Sequence, residues 1–130
     1  MKRTLLLSFA LVVALTAVAI ADDMKTDKKD AKATVTLTGE VLDMYCYMSH
    51  PETGVGAEHA KCANSCIERG LPIGFLASDG TVYLIIGSDH SPANEMVKGW
   101  AGKPSMITGT VVEQKGMKAI DITGISEVKG

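Results

Sequence analysis

The stretch Thr34-Val35-Thr36-Leu37-Thr38-Gly39-Glu40-Val41-Leu42-Asp43-Met44 decides the fold class. β-Branched residues dominate it and apolar and polar side chains alternate, which is the pattern of a half-buried strand. Val35, Leu37, Gly39, Val41 and Asp43 fall on one side, and Thr34, Thr36, Thr38, Glu40, Leu42 and Met44 on the other. Gly39 marks a bend or bulge in that strand. The alternation runs on through Tyr45-Cys46-Tyr47-Met48 until Pro51 ends it. Met44, Cys46, Met48 and His50 are therefore expected on one face of the strand.

Working outward, residues 51–56 read as a loop and residues 57–69 have helix-forming composition, with Gly70 and Pro72 as the stop signal. Residues 73–77 and 81–86 flank Ser78-Asp79-Gly80, whose Asp-Gly pair signals a hairpin. Ser91 as N-cap and Pro92 at the first helical position open a second short helix, expected to run to Ala101 and stop at Gly102. Residues 105–114 and 117–128 form two last strands joined at Lys115-Gly116, with Gly109 and Gly124 where small barrels bend. Five coiled antiparallel strands with two short helices describe a mainly β domain, a small, partly open barrel of the OB type. An α+β sheet is the alternative architecture.

The chain has 130 residues. Its first 21 read as a signal peptide. Lys2 and Arg3 precede an almost wholly apolar run from Leu5 to Ile20, and Ala19-Ile20-Ala21 has the small-x-small form of a cleavage site. No basic stop follows, so a retained membrane anchor is not expected. Residues 22–33 are charged and read as a flexible tether, leaving residues 34–130 as one domain. The expected compartment is periplasmic or secreted. Without Lys2 and Arg3 the chain carries 11 basic and 15 acidic side chains, a formal charge of −4, and aromatic residues make up only 5%. That composition disfavours nucleic acid and anionic membrane as partners.

Three cysteines, Cys46, Cys62 and Cys66, are the only ones in the chain. Disulfides are the default in an exported protein, and an odd count leaves one thiol over. On a helix, His59, Cys62 and Cys66 fall within about 60° of one another, on one stripe. Folding Cys46 against that stripe brings three sulfurs and an imidazole together. Cys46, His59, Cys62 and Cys66 make a complete tetrahedral set for zinc, and soft thiolates suit Cu(I) equally. Met48 and His50 are auxiliary candidates, and Met44 adds a further thioether to the same expected face. The competing expectation is a disulfide from Cys46 to Cys62 or Cys66, closing a loop of about 17 to 21 residues and stabilising by about 3 kcal/mol. A third is thiol–disulfide exchange, with Cys62 as attacking thiol near the helix start.

Other residues carry weaker signals. Glu40 and Asp43 stand where they would orient a ligand imidazole, while His90 and Trp100 read as a solvated loop residue and a packing residue. No catalytic trio, carboxylate pair or phosphate-cradling loop can be assembled, so an enzyme is not the favoured class. Metal carriage, sensing or buffering is, with a protein partner for metal transfer.

The run Cys46-Tyr47-Met48, then His59-x2-Cys62-Ala63-x2-Cys66, then Gly70-x-Pro72-x-Gly74 resembles a group of small exported bacterial proteins of unassigned function. The likeness continues through Asp79-Gly80 and the segment 107–111, so it covers nearly the whole expected domain. It implies the domain limits and an OB-like fold, and no activity. The thiol and imidazole set is also similar, in ligand chemistry alone, to periplasmic copper-handling proteins that deliver metal to cytochrome oxidase. Their fold is thioredoxin-like and their ligand order differs.

Overall fold

The computed structural model describes residues 33–129. The expected signal peptide and nearly all of the expected tether lie outside the described residues. Five strands account for most of the domain: β1 (Thr34–Asp43), β2 (Ile73–Ala77), β3 (Val82–Gly87), β4 (Pro104–Gln114) and β5 (Met117–Glu127). Hydrogen-bonded pairing joins them in the ring order β1-β2-β3-β5-β4 and back to β1. This is the small OB-like barrel expected from the pattern of short strands. All pairs but one are antiparallel; β3 and β5 run parallel through Leu84↔Ala119 to Gly87↔Ile122, which the expectation of an all-antiparallel sheet missed. The segment between Gly87 and Pro104 carries the chain across the barrel and reverses the direction in which a simple meander would return.

β1 holds the ring together because it pairs with two strands in succession. Residues 34–40 pair with β4 and residues 39–43 with β2. The handover falls on Gly39, where an added Cβ would run into the carbonyl oxygen of Leu76 on the adjacent backbone. The bend expected at this glycine is thus a close approach of two strands. The opposite corner is the hairpin between β4 and β5. Lys115 (φ 51°) and Gly116 (φ 84°) both take positive φ, as a two-residue type I′ turn requires.

Inside the ring, Val41, Phe75, Ile107, Ile120 and Ile122 are at most 1% exposed. The helix α2 (Ala60–Glu68; α1 is introduced below) adds Ala63 and Ile67, one turn apart, to the same core. Its end has the hydrogen bonds of a Schellman cap: Leu71 N–H donates to Cys66 O and Gly70 N–H to Ile67 O, with Gly70 at φ 82°. Two asparagines fix α2 to the long connection after β3. Asn94 donates through Nδ2 to the carbonyls of Ile67 and Leu71, both at 3.0 Å, and Asn64 exchanges hydrogen bonds with the backbone of Ala101.

Two expectations fail locally. Met44–Ser49 is a helix, α1, and not a continuation of the strand. Alternation over a few residues is outweighed here by a local cap, since Asp43 supplies the N-cap that selects the helix. Its side chain accepts from Tyr45 N–H at 3.0 Å and Cys46 N–H at 3.3 Å. The second expected helix, residues 91–101, reduces to one α-turn, α3 (Asn94–Val97), and a 3-10 turn precedes it at Ser88–His90. Ser91 is extended (φ −80°, ψ 140°), because the residue before a proline is pushed out of the helical region. The helices therefore number three short α-segments among the described residues, not two.

Gly39→Ala is expected to destabilise the protein by about 3 kcal/mol, because the strand partner offers backbone and not a flexible side chain to move aside. Urea unfolding of the variant against the parent measures it; a loss within about 0.5 kcal/mol would contradict the handover described for β1.

Candidate metal centre

The long connection from β1 to β2 carries all the cysteines. It leaves the barrel at Asp43, passes through α1, loops over residues 50–59 and returns along α2. Three hydrogen bonds shape it, one of them to the barrel. Met44 N–H donates to Pro72 O at 3.0 Å, which ties its two ends together. Glu40 Oε1 accepts from Gly56 N–H at 2.6 Å, which pins the loop to β1. Gly54 N–H donates to His50 O at 2.7 Å, closing the turn after α1.

This arrangement brings Cys46, which the sequence placed on a strand, against the N-terminal turn of α2. Ligand atoms of Cys46, His59 and Cys62 lie within 4.8 Å of one another. A second group, Asp43, Cys46 and Cys66, meets the same limit. Cys46 is common to both. All four residues singled out from the sequence are therefore gathered, as two overlapping trios, and the cluster is compatible with binding a metal ion. The cysteines are free thiols and graded in access: Cys62 is exposed, Cys46 partly buried and Cys66 buried.

The most telling atom is His59 Nε2. It is buried and has no hydrogen-bond partner. A buried imidazole nitrogen without a partner costs on the order of 1–3 kcal/mol, so such atoms are few in folded proteins. The imidazole does not serve as a cap either: His59 occupies the N-cap position of α2 without a side-chain bond to the helix. Beside two thiols, an uncommitted ring nitrogen, unprotonated in the neutral imidazole, is what a metal ion needs.

Asp43 is the functional residue that sequence reasoning placed too far out. Expected as a support for the imidazole, it is fully buried and its carboxylate faces Cys46. Its signal was present as an Asp immediately before a short apolar run, a helix-start signature obscured by the alternation. A hydrogen bond to the Asp43 carboxylate, with burial and the nearby negative charge adding to it, pushes the Cys46 thiol up to about 12. The Cys46 thiol thus keeps its proton beside Asp43 in the metal-free protein. Glu40 does not orient the imidazole either; it is spent on Gly56 N–H. At the far side of the cluster, Arg69 Nη2 donates to Cys66 Sγ at 3.1 Å.

The auxiliary candidates stand apart. Met48 is 71% exposed, and His50, exposed at the end of α1, belongs to neither trio. His90 is exposed on the 3-10 turn and borders a separate groove of about 550 Å³ between Gly70–Ile73, Leu84–Gly87 and the 90–94 segment. Trp100 is partly buried against the core. Among the described residues no helix is long and apolar enough to cross a membrane. Compared with known proteins, the chain matches no protein-family model and no curated protein sequence.

The Cys46–Asp43 contact gives a pH signature. Below the ordinary thiol value of 9.0 both folded and unfolded chains hold the Cys46 proton, and the contact contributes in full. Between 9.0 and about 12 the unfolded chain releases that proton while the folded chain keeps it, so stability falls as pH rises. The metal-free parent should therefore lose its stability advantage over Cys46→Ala as melting is followed from about pH 8 to about pH 11. A difference independent of pH would mean that Asp43 does not hold this proton.

Proposed function

We propose that this is an exported metal-binding protein that holds a soft transition-metal ion, zinc or Cu(I), through Cys46, His59 and Cys62, with Cys66 as the further thiolate of the centre. The observation that carries the reading is the buried, unpartnered Nε2 of His59 in a residue whose ring lies beside two thiols. Two sulfurs and an imidazole are a donor set chosen by thiophilic cations and avoided by magnesium or calcium. Exposure of Cys62 gives the ion a route to solvent and to an incoming ligand. The role this supports is carriage or buffering, with a thiol- or imidazole-bearing protein as the acceptor. Export, suggested by the first 21 residues, and kinship with the small exported proteins that share the Cys-Tyr-Met and His-x2-Cys-Ala-x2-Cys pattern belong to the same proposal.

A second reading has an observation of its own. Cys46 Sγ lies within 4.8 Å of the sulfurs of both Cys62 and Cys66, so a modest shift would permit either disulfide. The protein would then be a stapled binding module with one thiol left over, or a thiol-exchange protein working through Cys62. The two readings differ in thiol count.

Native mass spectrometry of the mature protein, purified from its own compartment without chelator, distinguishes them. Bound metal is expected, with three thiols reacting only after denaturation in chelator. The bare chain less two hydrogens, with one free thiol, would establish the stapled module instead. His59→Ala should weaken metal affinity by about 100-fold or more, beyond the 10–100-fold typical of losing a supporting group. Competition with a chromophoric chelator reads this directly, and an unchanged affinity would remove His59 from the ligand set.

A further inference from the structure

We propose that the centre holds two soft monovalent cations of the Cu(I) class bridged by the Cys46 thiolate: an outer one on His59 and Cys62, and an inner one on Cys66 beside the Asp43 carboxylate. This rests on the metal-binding reading above and states the number, charge and order of the ions.

The donors do not converge on one point. Around a single tetrahedral ion with metal–sulfur bonds near 2.3 Å, all four donors would stand about 3.8 Å apart. Here they divide into two threes that share only Cys46. Cys66 groups with Asp43 and not with His59 and Cys62. The helix explains the division. His59 and Cys62 lie in the first turn of α2, whereas Cys66 is a full turn further on, on the buried side. A thiolate has lone pairs for two cations, and Cys46 is the one sulfur positioned to serve both groups.

Charge bears on the number of cations, and the soft donors on their kind. With every sulfur coordinated, Asp43, Cys46, Cys62 and Cys66 carry four negative charges, and Arg69 at Cys66 Sγ supplies one positive charge. Neither of the ion pairs found among the described residues includes Asp43, although its side chain is fully buried. A metal-bound Cys46 would thus place a second negative charge within 4.8 Å of an uncompensated carboxylate. Like charges at that distance in a partly buried site repel strongly. One monovalent ion leaves a net charge of about −2 in the cluster, while two monovalent ions leave about −1, the same as one divalent ion; the division of the donors into two threes decides for the pair. The carboxylate oxygens each accept one backbone N–H and keep further acceptor capacity toward the inner ion. Its part there is chiefly electrostatic, since carboxylate is a hard donor and the two sulfurs are the soft ones.

Access sets the order. Cys62 is exposed and Cys66 is buried, so the outer position loads first and the inner ion enters past Cys46.

The test is anaerobic titration of the reduced mature chain with Cu(I), read by native mass spectrometry. Two ions per chain are expected in the parent, one in Cys66→Ala and one in Cys62→Ala. The ion retained by Cys66→Ala also reports that its outer position has folded, and circular dichroism of the unloaded variant checks the rest. A parent that stops at one ion, or a Cys66→Ala variant that takes two or none, overturns the bridged pair while leaving a single metal site standing. A parent that takes no Cu(I) and no zinc overturns the metal-binding reading itself.

Discussion

The buried carboxylate of Asp43 is the constraint on which the rest of the connection depends. It sits where β1 stops pairing with β2, at 0% exposure, and an ionised group there is costly unless its oxygens are satisfied. The chain satisfies them by turning into α1, so that Tyr45 and Cys46 present their N–H groups to the two oxygens. Strand end, helix start and thiol position are thus one event. Had β1 run on, Cys46 would have continued the extended strand. Because it stops, Cys46 turns back against the residues that complete the cluster. The same carboxylate holds the thiol in its protonated form, so a metal that binds must displace a proton.

The barrel supplies the rigid frame against which this happens. Its core is built from strand residues together with Ala63 and Ile67 of α2, Val97 of α3 and the flanking Ala93 and Ala101. Burying Ile67 completely fixes the rotation of α2 about its own axis, and truncating such a residue typically costs about 2–5 kcal/mol. With Ile67 turned inward, Cys66 next to it is carried under cover, and Cys62, one turn earlier, is left at the surface. The graded exposure of the sulfurs is therefore a consequence of core packing. It was not separately encoded in the cysteine spacing.

Much of this was legible from residue types. The Thr34–Asp43 alternation, the Asp79-Gly80 hairpin and the Lys115-Gly116 turn carry local signals strong enough to survive tertiary packing, and together they place all five strands. The helical stripe of His59, Cys62 and Cys66 was legible for the same reason. What escaped was decided at a distance. The parallel pairing of β3 with β5 depends on a crossover with no local signature. The helix at residues 44–49 depends on burial of Asp43, which alternation alone cannot report. Ser91-Pro92 looked like a helix start, yet the proline's effect on the residue before it prevailed. Met48 and His50 lost their place beside the sulfurs through the same strand-to-helix change that moved Cys46 into it.

The separation of core from cluster bears on what kind of metal site the proposal describes. Small domains that need a metal to fold place the ligands where a core would otherwise be. Here Cys46, His59 and Cys62 contribute nothing to the packed centre of the barrel, which is closed by strand pairing and aliphatic side chains. The metal-free chain therefore has its own reason to fold, and the ion would order only the connection between β1 and β2. A site of that kind can gain and lose its ion without unfolding the protein. The unpartnered His59 nitrogen then has a physical rationale: the stability it forgoes in the metal-free state is small beside the core's, and the binding energy recovers it. An exposed thiol at the mouth, a buried thiol behind it and a frame folded independently of the cluster suit the proposed metal site to exchange and not to scaffolding.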